Sequence, residues 1–118
     1  MANAIEEKSF VFATRVVRLC QLLERERREY VLSRQVLRSG TAIGALVSEA
    51  QYAQSKADFV NKMQIAIKEA NETLYWLRLL RETDYIDSDQ FVNLSRENRE
   101  ILRLLTSIIN SSKKSLSR

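Results

Sequence analysis

The stretch KADFVNKMQIAIKEANETLYWLRLLRET, residues 56–83, decides the fold of this chain. Apolar or small residues recur in it at alternating spacings of four and three, which is the pattern of the a and d positions of a heptad. Ser55 and Asp58 add a Ser-x-x-Asp signature, which is typical of a helix N-terminus. We therefore predict a long helix with one side buried along its whole length. The residues of this seam are Phe59, Met63, Ala66, Ala70, Thr73, Leu77 and Leu80.

Three further segments have helical periodicity, and they flank this stretch on both sides. The first begins at residue 4, capped by Asn3, or at residue 10, capped by Ser9, and it ends near residue 27. The others cover residues 31–53 and 89–111, and the charged run 24–29 and the polar run 84–89 form turns. Proline is absent and glycine is rare, which disfavours an all-β fold. We predict an all-α domain, residues 1–111, built as an antiparallel up-down-up-down four-helix bundle, followed by a flexible basic tail, residues 112–118.

Apolar residues cover two flanks of some helices, although a helix that only roofs a core needs one stripe. In helix 1 the stripe of Phe10, Ala13, Val17 and Cys20 lies beside that of Phe12, Val16, Leu19 and Leu23. The second flank predicts contact with another copy of the chain, and thus a homo-oligomer. Tyr75 and Trp76 point about 100° apart and could stack on bases or pack between subunits. The predicted interface residues are Phe12, Val16, Leu19, Ile65, Trp76 and Leu79.

Gly40 and Gly44 lie one turn apart in the middle of the second helix. Each costs about 1 kcal/mol relative to alanine in a helix interior. Charged residues flank the pair, so a membrane dimer motif is disfavoured. We predict that a neighbouring helix approaches the backbone closely at these two positions.

Catalytic and metal chemistry are disfavoured by composition. Histidine is absent, so the commonest general base and zinc ligand are missing, and Cys20 is the only cysteine. Glu69 and Glu72, with Glu49 facing them, could form an acid–base pair or a magnesium site. The favoured alternative is that hydrogen bonds to Arg38, Ser39 or Thr41 satisfy these carboxylates. Because no nucleophile or phosphate loop accompanies them, we predict no enzymatic activity, no metal and no cofactor.

No apolar signal core or run of about 18 apolar residues is present. We therefore expect a cytoplasmic protein with no membrane association.

The chain is basic, with 19 Lys and Arg against 15 Asp and Glu, and a net charge of +4. This balance is compatible with an anionic partner such as RNA or DNA, helped by Lys113, Lys114 and Arg118. The alternative is a solvated face whose arginines pair with Glu24, Glu97 and Glu100. The predicted nucleic-acid-binding residues are Arg15, Arg18, Arg25, Arg34, Arg38, Arg96, Arg99 and Arg103.

Many ordered segments of the chain, up to Ile109, resemble the four-helix-bundle family encoded in intervening sequences of bacterial 23S ribosomal RNA genes. One departure is Leu46-Val47-Ser48, where the family often has Asn, Ile and an acid, so any role of that buried Asn does not transfer. The matching segments include Lys8-Ser9-Phe10, Tyr30-Val31-Leu32-Ser33, Leu37-Arg38-Ser39-Gly40-Thr41, Ala53-Gln54-Ser55-Lys56-Ala57-Asp58-Phe59, Lys68-Glu69-Ala70 and Tyr75-Trp76-Leu77-Arg78-Leu79-Leu80.

The resemblance implies an up-down bundle that assembles into a ring, commonly a pentamer. It also implies kinship with the accessory proteins of diversity-generating retroelements, which are basic pentamers that bind nucleic acid and a reverse transcriptase. The function expected from residues and resemblance together is oligomeric nucleic-acid binding. The alternative is a structural or protein-interaction module with no nucleic-acid role.

Overall fold

The computed structural model describes the backbone of residues 3–116 and the side chains of residues 3–114. Four helices account for most of it: α1 (Ala4–Arg27), α2 (Val31–Ala50), α3 (Lys56–Glu82) and α4 (Ser88–Leu116). There is no strand among the described residues. The prediction of an all-α chain with four helices is confirmed.

Consecutive helices run antiparallel around one core. On α1 and α2, Cys20 donates its thiol to the Ser33 carbonyl, whereas Gly44 lies against the Ser9 backbone. Rising numbers on one helix therefore meet falling numbers on the other. Each helix packs against the next one, and α4 returns to pack against α1. Helix α4 therefore lies diagonally across the bundle from α2.

The α3 seam supplies the centre of the core. Met63, Ala66, Ala70, Leu77 and Leu80 are all fully buried, as predicted from their spacing. Thr73 is buried in the same seam, and its hydroxyl donates to the Ser39 hydroxyl at 2.8 Å. Phe59, at the start of the seam, is only half-buried.

Asn98 of α4 is a polar residue whose side chain is fully buried. Its side-chain amide finds no hydrogen-bond partner in the described part of the chain. An unsatisfied buried amide costs roughly 1–3 kcal/mol, so apolar packing around it must offset that cost.

Helix termini follow the predicted caps. The Asn3 side chain accepts from the Glu6 N–H at 2.9 Å, so α1 begins at the earlier of the two predicted sites. Ser55 Oγ accepts from the Asp58 N–H at 3.1 Å, and Asp58 accepts in turn from the Gln54 N–H. This reciprocal pairing satisfies amide groups that the first turn leaves free.

Two helix ends differ from the sequence prediction. Helix α2 ends at Ala50, three residues early, because the chain tightens into turns in which each amide bonds to the carbonyl three residues back, as from Ala53 to Ala50. Helix α4 continues to Leu116. Its last residues include no glycine or proline, and Lys113 and Lys114 favour the negative end of the helix dipole. Most of the predicted tail is thus helical, and residues 117–118 lie outside the described part.

Candidate nucleic-acid interface

Three of the predicted interface residues lie in the core of the single chain. The exposed fractions of Phe12, Val16 and Leu19 are 0%, 0% and 6%. This corrects the sequence prediction, because side chains enclosed by their own subunit have no surface to offer another. The neighbouring stripe is exposed at Phe10 (73%) and Val17 (38%), whereas its last member, Cys20, is buried.

The exposed stripe of α1 forms an apolar surface together with α2. Phe10 and Ala13 line a shallow groove with Gly44, Ala45 and Tyr52. Tyr52 is 86% exposed, which is unusual for a large aromatic side chain without a partner. We call these five residues the α1–α2 apolar surface. Sequence spacing marked the stripe, but it could not say which of two adjacent stripes would face out.

The three predicted interface residues of α3 remain partly accessible. Ile65 is exposed, and Trp76 and Leu79 are half-buried. The Trp76 indole N–H donates to Glu72 Oε2 within the same chain at 3.0 Å, and the Tyr75 ring meets the Trp76 ring edge-on. Their place in a subunit interface stays a prediction.

The acidic residues of α3 are held by an arginine. Arg38 of α2 pairs with Glu69 Oε2 at 3.2 Å and also with Glu72. This arrangement matches the structural alternative for the acidic pair, in which Arg38 satisfies the carboxylates. Glu49 is exposed on α2. No group of three or more Cys, Asp or Glu side chains within the described residues is placed to hold a metal ion.

Three of the eight predicted nucleic-acid-binding arginines are engaged in ion pairs. Arg38 is bound as described, Arg15 of α1 pairs with Glu97 of α4, and Arg25 lies 3.9 Å from its neighbour Glu26. Lys8 makes a similar link to Glu100 at 3.4 Å. An arginine committed to a carboxylate must give up that partner before it can contact a phosphate.

The other arginines are available. Arg18, Arg34, Arg99 and Arg103 are exposed, and none forms a hydrogen bond or ion pair with a described residue. Arg96 donates only to the neutral side-chain oxygen of Asn93, at 3.0 Å. The structure therefore divides the predicted set into arginines paired with carboxylates and arginines without such a partner among the described residues.

A second surface groove lies on α4 and includes residues that the sequence reading did not single out. Its residues include two cations and no acid, and the signal that could have revealed it is the absence of acidic residues after Glu100. Its lining residues are Leu102, Arg103, Thr106, Ser107, Asn110, Ser111 and Lys114.

Cys20 is unsuited to nucleophilic chemistry. Its side chain is 3% exposed, and burial, with smaller contributions from Glu24 and Glu29, raises the pKa of the thiol to about 12. The reactive thiolate is therefore scarce at neutral pH. At the start of α3, a hydrogen bond from Lys62 lowers the pKa of the Asp58 carboxyl group.

The chain is thus a four-helix bundle with a basic surface, and no described helix is long and apolar enough to cross a bilayer. A sequence model of the 23S rRNA-intervening sequence protein family matches residues 2–107. The chain belongs to this family, as its resemblance indicated.

A solved structure supports the same placement. The chain is 52% identical to a protein with unknown function from the S23 ribosomal protein family of Bacteroides thetaiotaomicron. The match covers 90% of this chain and 98% of that one, with a TM-score of 0.89. No protein of curated function matches the sequence significantly.

Proposed function

We propose that this chain is a non-enzymatic, cytoplasmic homo-oligomer that binds nucleic acid through a basic surface. The observation that carries the proposal is the set of exposed arginines without acidic partners, on a fold whose apolar surface is elsewhere. Solvent-exposed, unpaired cations can neutralise the phosphates of a nucleic acid. Binding then releases the counterions that surrounded those phosphates. In this proposal the up-down-up-down bundle is the repeating unit of a ring.

Self-association is supported by the α1–α2 apolar surface. Phe10 and Tyr52 expose large hydrophobic area, and such patches mark interaction sites on soluble proteins. A second exposed set, Ile65 and Tyr75 on α3, lies on a different helix. Contacts between two different patches are heterologous, and heterologous contacts that close produce rings. We propose a ring of the pentameric size that the family resemblance suggests.

Nucleic-acid binding gains from assembly. Each copy contributes its own unpaired cations, so a ring repeats the basic surface around its circumference. Repeated weak contacts to one strand raise the overall affinity by their effective concentration. The proposed partners are RNA or DNA and, by the kinship described above, a reverse transcriptase that acts on them.

The test combines oligomer mass with a nucleic-acid titration. Light scattering should give a mass several times the 13.7 kDa of one chain. Fluorescence anisotropy with a mixed-sequence single-stranded RNA and its DNA equivalent should show saturable binding at low salt that weakens steeply as salt rises. A folded monomer at high protein concentration would contradict the assembly. Absence of binding at low salt would contradict the nucleic-acid role.

A protein-interaction module is the second candidate. It is favoured by the three arginines already paired with carboxylates and by the exposure of Phe10 and Tyr52 on the α1–α2 apolar surface. It predicts a stable oligomer that binds neither RNA nor DNA at low salt, so the same two measurements separate the candidates.

A further inference from the structure

We infer that the nucleic-acid backbone binds along the outer face of α4, between Arg96 and Lys114. This inference rests on the proposed function and says which of the available cations carry it. We call the residues Arg96, Arg99, Arg103, Ser107, Asn110 and Lys114 the α4 row.

The cations of the α4 row share one side of the helix. At about 100° per residue, Arg96, Arg99, Arg103 and Lys114 fall within about 60° of one another. They extend over about 27 Å of helix at 1.5 Å per residue. All four are exposed. A linear array of this kind follows a linear polyanion better than cations scattered over several helices.

Arg96 shares a groove with Glu7, Glu97 and Glu100, whereas the groove that Arg103 and Lys114 line contains no acid. The nearest α4 acids, Glu97 and Glu100, are turned toward α1, where they hold Arg15 and Lys8. Beyond Glu100 the sequence has no Asp or Glu at all. Arg99, Arg103 and Lys114 form no ion pair within residues 3–114. A phosphate that approaches Arg99, Arg103 or Lys114 therefore displaces no ion-pair partner within residues 3–114.

Neutral donors lie between the cations. Ser107 and Asn110 are exposed, line the same groove as Arg103 and Lys114, and make no hydrogen bond to a described residue. Hydroxyl and amide groups are common phosphate and sugar ligands alongside Arg and Lys. An acidic peptide would use the cations but not require this mixture.

The α4 row lacks aromatic side chains, which single-strand binders use to stack bases. Recognition through backbone contacts alone carries no sequence information. We therefore expect binding that tolerates any sequence.

The α4 row is also separate from the α1–α2 apolar surface. The α1–α2 apolar surface lies in the groove between α1 and α2, and α4 contacts α1 and α3 but is diagonal to α2. A copy seated on the apolar surface therefore contacts a different part of the bundle.

The first test compares two charge-matched double variants of the full chain. Arg99→Ala with Arg103→Ala should weaken binding of a mixed-sequence single-stranded RNA at least tenfold at low salt. It should also make the salt dependence shallower by about 1.4, since each of the two lost single-strand contacts removes about 0.7 from the slope. Arg18→Ala with Arg34→Ala removes the same charge from α1 and α2 and should change affinity less than threefold.

The second test adds a charge without changing size. Asn110→Asp places an acid inside the α4 row and should weaken RNA binding severalfold. Asn71→Asp makes the same change at an exposed position of α3 and should leave binding unchanged. Circular dichroism and light scattering should be the same for all variants, because every altered side chain is exposed.

The outcomes separate the two levels of the argument. Equal losses in both double variants, with wild-type binding intact, would overturn the α4 row and leave the proposed function standing. No wild-type binding to RNA or DNA would overturn both. Equal affinity for poly-glutamate would also overturn the inference, because it would mean that the row recognises acidic protein.

Discussion

Gly40 shows how one residue fixes the distance between two helices. A Cβ at this position would lie 2.9 Å from both methyl groups of Val16, closer than real Cβ atoms approach their neighbours. At Gly44 a Cβ would lie 3.2 Å from the Ser9 carbonyl oxygen, which belongs to a rigid backbone. The close approach predicted from the two glycines is confirmed, and the partner is α1.

Gly40→Ala should therefore destabilise the protein, although alanine has a higher helix propensity than glycine. Alanine gains about 1 kcal/mol as a helix former, but forcing apart a packed, β-branched side chain costs about 1–3 kcal/mol. We expect a net loss of about 1 kcal/mol in the free energy of unfolding, measured by urea denaturation. Combining it with Val16→Ala should produce less than the sum of the two single losses. An additive result would mean that the two side chains do not compete for space.

Cys20 provides a second residue-scale prediction, from its pKa of about 12. In the folded protein the thiol should resist a disulfide reagent at pH 8, and it should react promptly once urea unfolds the chain. The unfolded thiol ionises from about pH 8.5, whereas the folded one stays protonated. Stability from this residue is thus complete below about pH 8.5 and declines as pH rises toward 12. Fast reaction in the native state would contradict the buried position.

At the scale of the element, the start of α2 depends on a residue outside the helix. Glu29 is nearly buried, and its carboxylate accepts hydrogen bonds from the amides of Val31, Leu32 and Ser33 at 2.9–3.1 Å. These amides belong to the first turn of α2, where the N–H groups have no carbonyl acceptor within the helix. The helix N-cap Tyr30 makes no side-chain hydrogen bond, so Glu29 takes over the capping.

Glu29→Ala should lower the free energy of unfolding by about 2 kcal/mol, the upper part of the range for losing a cap. The value is high because three amides lose a charged acceptor at once. Glu26→Ala, an exposed glutamate of the same charged run, is the matched control and should change stability by less than about 0.5 kcal/mol. Thermal unfolding monitored by circular dichroism measures both. Equal effects would show that the capping contacts contribute nothing.

At the scale of the whole molecule, the prediction concerns the exposed apolar stripe. Phe10→Glu should leave the fold intact, because the side chain is already in water, and should reduce the oligomer mass by placing a charge in the proposed contact. Val92→Glu is the matched control on α4, where an exposed apolar residue lies outside the α1–α2 apolar surface. Sedimentation or light scattering at several concentrations measures the difference. An unchanged mass for Phe10→Glu would remove this surface from the assembly.

The sequence by itself determined the helices, because their periodicity, caps and turns are local properties. The α3 seam and the Ser55 and Asn3 caps came from spacings within one or two turns. The acid-free stretch after Glu100 could also be read directly from the chain.

Only the tertiary structure decided which of two adjacent stripes faces inward. Phe12 and Phe10 have the same side chain, but one is buried and the other is exposed. The difference comes from the rotation of α1 against α2 and α4, which the spacing of residues within α1 does not encode. The same holds for the arginines: Arg15 and Arg38 are committed to carboxylates on other helices, and Arg99 and Arg103 are not. Partners far apart in sequence are set by packing, and so the division of the arginines into paired and unpaired residues appears only in three dimensions.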